Sequence, residues 1–231
     1  ATSGLGLAAA GELARLGARL VLIGRGADRL QAAVEEIAAF SGCSAERIQT
    51  REAELSLIRE CRRAGEQLRE QCPRIDVLIN NAGALFAERD ETPEGHERAL
   101  AVNLLAPWTL TRTLMPALEA GGARVINVAS GGLYAQGLHL DDPEYRRGRY
   151  DGSKAYARAK RALVAVTEYH AEQYPDRRVT FNSMHPGWAA TPGVAKSLPA
   201  FNRKLRRWLR DARAAGDLDG LPRRQVRVGL L

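Results

Sequence analysis

Cysteine is scarce in this chain and histidine nearly as rare. The three cysteines, at 43, 61 and 72, form no C-x-x-C pair and are odd in number. That argues against a disulfide framework and for a reducing intracellular compartment, with the cytoplasm as the expected location. The four histidines, at 96, 139, 170 and 185, share no ligand spacing with one another or with the cysteines, so no metal site is expected. No apolar run approaches the ~20 residues that cross a bilayer. Glu12 and Arg15 interrupt the alanine-rich start, which therefore does not read as a signal peptide. Lysine stands only at 154, 160, 196 and 204, so the basic side is almost entirely arginine. A net charge of +7 and a pI of about 9.7 require an anionic partner to be weighed. The arginines are scattered through mixed-charge segments such as Arg59-Glu60-Cys61-Arg62-Arg63. This is the pattern of a solvated helix face and not of a clustered phosphate footprint, so nucleic acid is not the expected partner.

What is present is enough for one substantial core: 231 residues, 45% of them hydrophobic. Short β-rich stretches at 19–23, 47–50, 76–79, 124–128 and 179–183 alternate with amphipathic segments at about 5–16, 27–40, 56–71, 95–118 and 153–174. Strand following helix in this way predicts a parallel sheet covered on both faces, a three-layer α/β/α fold. No linker divides it. The stretch from 185 to about 215, with Pro186, Pro192 and Pro199, reads as a loop and short helices over the sheet edge.

The chain opens Ala1-Thr2-Ser3-Gly4-Leu5-Gly6 and passes directly into a helix. Glycines at such a junction let backbone approach a pyrophosphate whose charge the helix N-terminus favours. Ser3, Gly4, Leu5 and Gly6 are therefore candidate cofactor residues of a Rossmann-type, doubly wound sheet. The next strand ends Ile23-Gly24-Arg25, about where such folds place an acidic ligand for the ribose. Arg25 stands there instead, and a guanidinium suits a 2′-phosphate. The balance favours NADP(H) over NAD(H), against the alternative that Arg25 faces solvent. An apolar first strand would precede these glycines, and the sequence begins after its place.

Further on come Asn80-Asn81-Ala82-Gly83, Ala101-Val102-Asn103-Leu104, Val125-Ile126-Asn127-Val128-Ala129-Ser130, Tyr156-Ala157-Arg158-Ala159-Lys160 and His185-Pro186-Gly187-Trp188-Ala189-Ala190-Thr191. In this order, and at these places relative to the strands, they resemble the short-chain dehydrogenase/reductase family from residue 1 to about 213. A tyrosine hydroxyl with a pKa near 10 is a slow acid at neutral pH, and an ammonium one helical turn away favours the phenolate. The resemblance implies that Tyr156 gives or takes the proton of a carbonyl/alcohol interconversion. It implies that Lys160 lowers the Tyr156 pKa and holds the nicotinamide ribose, that Ser130 hydrogen-bonds the substrate oxygen, and that Asn103 anchors a water. Asn81, Ala82 and Gly83 would flank the cofactor, and Pro186, Gly187 and Thr191 would lie against the nicotinamide. It further implies a Rossmann-like domain over 1–213, with 185–213 as a substrate lid and 214–231 as an atypical tail. A small, moderately lipophilic substrate and a homodimer or homotetramer are expected.

Tyr150 and Lys154 repeat the Tyr–Lys spacing, but Asp151, Gly152 and Ser153 are residues that start a helix, which leaves Tyr150 outside it. Glu54 stands where the family carries Asp at the adenine. After Arg213 nothing reads as the helix and strand that would finish the sheet, so the first and last strands are both expected to be lacking. The leading reading is an NADP(H)-dependent oxidoreductase. The alternative is a non-catalytic relative that cannot hold cofactor. The segment 131–152 reads either as a surface insertion or as a rim of the substrate pocket.

Overall fold

The structure is a computed structural model that describes residues 1–175, 178–187, 203 and 229–230. Local chemistry sets where its elements begin and end. Helix α1 (Gly4–Arg15) follows an extended Ser3, and strand β1 (Leu20–Gly24) comes after it. Helix α2 (Ala27–Ser41) stops at Gly42, whose φ of 71° is a left-handed turn that glycine makes without a Cβ clash. Strand β2 (Ile48–Glu52), helix α3 (Ile58–Gln71) and strand β3 (Val77–Asn80) follow. Where the sequence predicts one helix from about 95 to 118, three pieces run on without a break. These are α4 (Arg98–Leu100), a π-turn (Ala101–Leu105) and α5 (Ala106–Gly121). Strand β4 (Arg124–Val128) leads to α6 (Gly152–Gln173), which Asp151 caps by accepting the Ser153 and Lys154 amides at 2.9 and 3.1 Å. Tyr150 lies outside α6. Strand β5 (Thr180–His185) completes the series.

The strands form two hydrogen-bonded sheets. In one, β1 and β2 run parallel with Leu20 opposite Ile48 and Gly24 opposite Glu52. In the other, β3, β4 and β5 run parallel, and β6 (Gly229–Leu230) adds antiparallel to His185 and Met184. The break between the sheets falls between β1 and β3.

Apolar packing bridges that break although hydrogen bonds do not. Val21 and Ile23 of β1 join Leu78 of β3 against a cluster of Leu68, Leu114, Leu118 and Val125. The last four are at most 5% exposed, and each such burial contributes roughly 1.5–3 kcal/mol. A second cluster, around Leu22, Leu30, Ile37 and Ile48, seats α1 and α2 on the smaller sheet. Among the described residues no helix is long and apolar enough to cross a membrane. The α/β layers thus bring the C-terminal ends of β3, β4 and β5 to one edge, where an open parallel sheet presents its loops to a ligand.

Candidate active site

Below that edge a polar ladder fixes the strands and α6. Asn80 Nδ2 donates to Thr111 Oγ1 at 3.2 Å and to Asn127 Oδ1 at 2.8 Å. Asn127 Nδ2 donates to Thr167 Oγ1 at 2.9 Å, and the Thr167 hydroxyl donates to Leu163 O at 2.7 Å. All four side chains are buried, so their partners stand in for the water they lost. Sequence reasoning missed this ladder as a unit. Its signal was present, since two asparagines sit within strands that are otherwise apolar.

Above the ladder the structure brings the four predicted catalytic side chains together. Ser130 follows β4 and lies within hydrogen-bonding reach of the Tyr156 hydroxyl. Burial raises the Tyr156 pKa above its ordinary value, and the Ser130 hydrogen bond offsets part of that rise. Lys160 is buried, and its Nζ donates to Val128 O at 2.7 Å and sits 5.8 Å from the Tyr156 ring centroid. Desolvation lowers the Lys160 pKa to about 8. Ser130 is the neighbour whose hydrogen bond favours the Tyr156 phenolate here. Gly83 adjoins Asn103 and Lys160: a Cβ there would stand 2.9 Å from Asn103 Oδ1 and 3.3 Å from Lys160 Nζ.

Asn103 occupies the π-turn. Its Nδ2 donates to Ala84 O and Ala99 O, both at 2.8 Å, and its Oδ1 accepts the Ala84 amide at 3.2 Å. Both amide hydrogens are therefore committed, and a water held by Asn103 must donate to an oxygen. On the other side of Ser130, Gly131 abuts the ring of His185, with 2.8 Å between a notional Cβ and Nε2. That contact carries Pro186 and Gly187 toward Ser130. Thr191 and nearly all of the predicted lid lie outside the described residues.

The predicted phosphate end is assembled from the first residues. Gly4 has a φ of 58°, and a Cβ on Gly6 would lie 2.5 Å from Asn81 Nδ2. Gly6 thus stands where the start of α1 comes closest to Asn81, next to Ser3, Gly4 and Leu5 in the chain. At the far end, Arg25 Nη1 donates to Glu54 Oε2 at 3.3 Å. The other carboxylate oxygen of Glu54 accepts the Ser56 amide and hydroxyl at 3.0 and 2.9 Å. Burial alone would raise the Glu54 pKa, but Ser56 and then Arg25 outweigh it and hold the carboxyl below its usual range. Glu54 therefore faces Arg25, and Glu52 accepts the Gly26 amide at 2.9 Å beside it.

The segment 131–152 is anchored toward both of its ends. After a 3-10 turn at Gly131–Ala135, Glu144 accepts the Glu97 amide at 2.6 Å and bonds His96 Nδ1 at 3.0 Å. Arg89 Nε donates to Tyr145 O at 3.2 Å, and the Arg158 guanidinium lies 3.9 Å from the Tyr145 ring centroid. A cavity of about 330 Å³ opens between this segment and the outer flank of α6, lined by Leu104, Leu138, Leu140, Ala162 and Val166. It holds neither Ser130 nor Tyr156. The candidate site is therefore the polar corner at Gly83, where Lys160 and Asn103 adjoin.

Comparisons with known proteins show the family. The family described as Enoyl-(Acyl carrier protein) reductase matches residues 1–218. Dehydrogenase/reductase SDR family member 12 of Bos taurus is 38% identical over 216 residues, which cover 93% of this chain and 67% of that protein. Retinol dehydrogenase 14 of Homo sapiens is 34% identical over 203 residues, or 83% of this chain and 60% of that protein. Among solved structures, a metagenomic short-chain oxidoreductase in complex with NADP matches with a TM-score of 0.64 and 29% identity. That match covers 81% of this chain and 79% of the other. A Caenorhabditis elegans short-chain dehydrogenase/reductase, solved with cofactor, matches with a TM-score of 0.69 and 26% identity, over 85% and 70% of the two chains. The chain spans about two-thirds of the length of these curated relatives.

Proposed function

We propose, from the premise that this chain belongs to the short-chain dehydrogenase/reductase family of oxidoreductases, that it moves a hydride between NADP(H) and a small carbonyl or alcohol. Tyr156 is the proton donor in reduction and the acceptor in oxidation. The observation that carries this reading is the meeting of Tyr156, Ser130, Lys160 and Asn103 around Gly83.

The donor set suits a dinucleotide: Gly4 turns the backbone into α1 with a φ of 58°, and Gly6 and Gly83 let backbone come closer to Asn81, Asn103 and Lys160 than a side chain would allow. Bound there, the cofactor in its reduced form supplies the hydride. The protein supplies the rest. Ser130 donates to the carbonyl oxygen and fixes its distance from Tyr156, which gives that oxygen a proton as it becomes a hydroxyl; oxidation reverses both transfers. Lys160 spends one N–H on Val128 O and keeps two for a ribose hydroxyl and for the tyrosinate left behind. Asn103 takes a relay water through oxygen. Asn81, Ala82 and Gly83 flank the cofactor, and Pro186, Gly187 and Thr191 close over its nicotinamide. Arg25 meets the 2′-phosphate. Its pairing with Glu54 is exposed and long, hence weak enough for a phosphate to replace. Glu54 borders the adenosine end.

The domain so built runs over 1–213, takes a small lipophilic substrate and pairs as a homodimer or homotetramer. The test is direct. NADPH should raise the melting temperature more than NADH does, and a panel of ketones and aldehydes should consume NADPH in a Tyr156-dependent way. Absence of both effects would favour the second reading, a family member that does not hold cofactor.

A further inference from the structure

Resting on that reading, we propose that Glu97 is a positioning residue whose buried carboxylate clasps the start of α4 to Tyr150 and thereby sets Asn103 against Tyr156 and Lys160. Glu97 is 2% exposed. Its Oε1 accepts the Ala99 amide at 2.8 Å and the Tyr150 hydroxyl at 3.0 Å, while Oε2 accepts the Leu100 amide at 2.7 Å. Among the described ion pairs none involves Glu97, so neutral donors carry the whole compensation of a buried charge. Removing one of three donors is then felt by the other two.

The clasp reaches the site through one residue on each side. Ala99, held at its amide by Glu97, receives the Asn103 side chain at its carbonyl. Asn103 in turn grips both backbone groups of Ala84, next to Gly83. On the other side, Tyr150 stands just ahead of Asp151, the cap of α6, and α6 carries Tyr156 and Lys160. Gly152 locks that helix start against Phe86, because a Cβ there would fall 1.8 Å from Phe86 O. Glu144 adds a second tie by accepting the Glu97 amide. Two helix starts that bear the reacting groups are thus joined by a single carboxylate. Burial and the neighbouring Glu97 charge push the Tyr150 pKa up, so its hydroxyl remains a donor at any working pH. Tyr150, which mimics the Tyr–Lys pair in sequence, has its own task.

A misplacement of about 1 Å between reacting groups costs up to about 100-fold in rate. Tyr150→Phe removes the hydroxyl and keeps the ring that packs 5.2 Å from Tyr145. It should lower kcat about five- to fifty-fold and leave the KM for NADPH and for the carbonyl within about two-fold. Glu97→Gln should do the same, and Glu97→Ala more. Val34→Ala, in the distant α2 core, serves as a control that lowers the melting temperature while kcat stays at the parent value. Hydrogen exchange supplies a readout independent of turnover. In Tyr150→Phe the amides of Ala99, Leu100 and Ala84 should exchange faster, with β1 and β2 amides unchanged. If no carbonyl is reduced by the parent, the oxidoreductase reading fails and exchange alone decides the clasp. Parent-like exchange at Ala84 in Tyr150→Phe, or a parent-like kcat in both Tyr150→Phe and Glu97→Gln, overturns it.

Discussion

The two ends of the candidate site are built on opposite principles. At the Gly83 corner, Ser130, Tyr156, Lys160 and Asn103 stand on a buried ladder of hydrogen bonds, and Asn103 and Asn127 are no more than 2% exposed. At the Arg25 end, an exposed guanidinium meets Glu54 across 3.3 Å and lies between β2 and open solvent. Buried networks cost much when broken and hold geometry closely, whereas surface ion pairs contribute roughly 0–1 kcal/mol and exchange partners readily. The division suits the proposed chemistry. Proton transfer demands fixed distances, whereas selection of a phosphate demands a charge free to turn toward it.

The largest effect expected from breaking this contrast is on rate at the buried corner. Tyr156→Phe should cut kcat by about 100- to 10,000-fold while circular dichroism and melting temperature stay close to the parent. Next comes stability. Asn127→Ala would strip Asn80 and Thr167 of partners at 2.8 and 2.9 Å, at a cost of about 2–4 kcal/mol measurable by urea unfolding. The exposed end should respond in the other currency. Arg25→Ala should weaken NADPH affinity by about 10- to 100-fold, the worth of a charge-assisted hydrogen bond, with NADH affinity and unfolding unchanged. An equal loss for both cofactors would show that the two ends are not specialised in this way.

How much of this was legible in the sequence follows the same division. Period, caps and breakers found the five parallel strands within about two residues, though not β6, and Asp151-Gly152-Ser153 marked the start of α6 because those side chains act on their own neighbours. The order of the short motifs led to the corner itself. What stayed hidden depends on contacts distant in the chain. Ala101–Leu105 is an apolar run with no mark of a π-turn. Nothing near Glu97 announces that Tyr150 will bond it from 53 residues away. The direction of the Lys160 ammonium, toward Val128 O, is set by which carbonyl the packing leaves open.

The smallest expected effect belongs to a third kind of environment, the aromatic wall behind α6. His170 is 1% exposed, stacks on Trp108 with 4.8 Å between ring centroids, and lies 5.2 Å from Phe181. Among the described residues neither of its ring nitrogens has a hydrogen-bond partner. Burial, assisted by the Arg112 charge over the Trp108 ring, lowers its pKa. The folded state therefore binds a proton less readily than the unfolded chain does, whose histidine titrates near pH ~6.5. The neutral imidazole costs nothing above that pH. As pH falls below it the unfolded chain takes up the proton first, and stability declines until the folded ring titrates as well. The melting temperature should thus drop between about pH 7 and 5, and His170→Phe, which keeps the stack and removes the titration, should flatten that decline. An unchanged slope in the variant would assign the acid sensitivity to the exposed carboxylate pairs and leave the aromatic wall electrically silent.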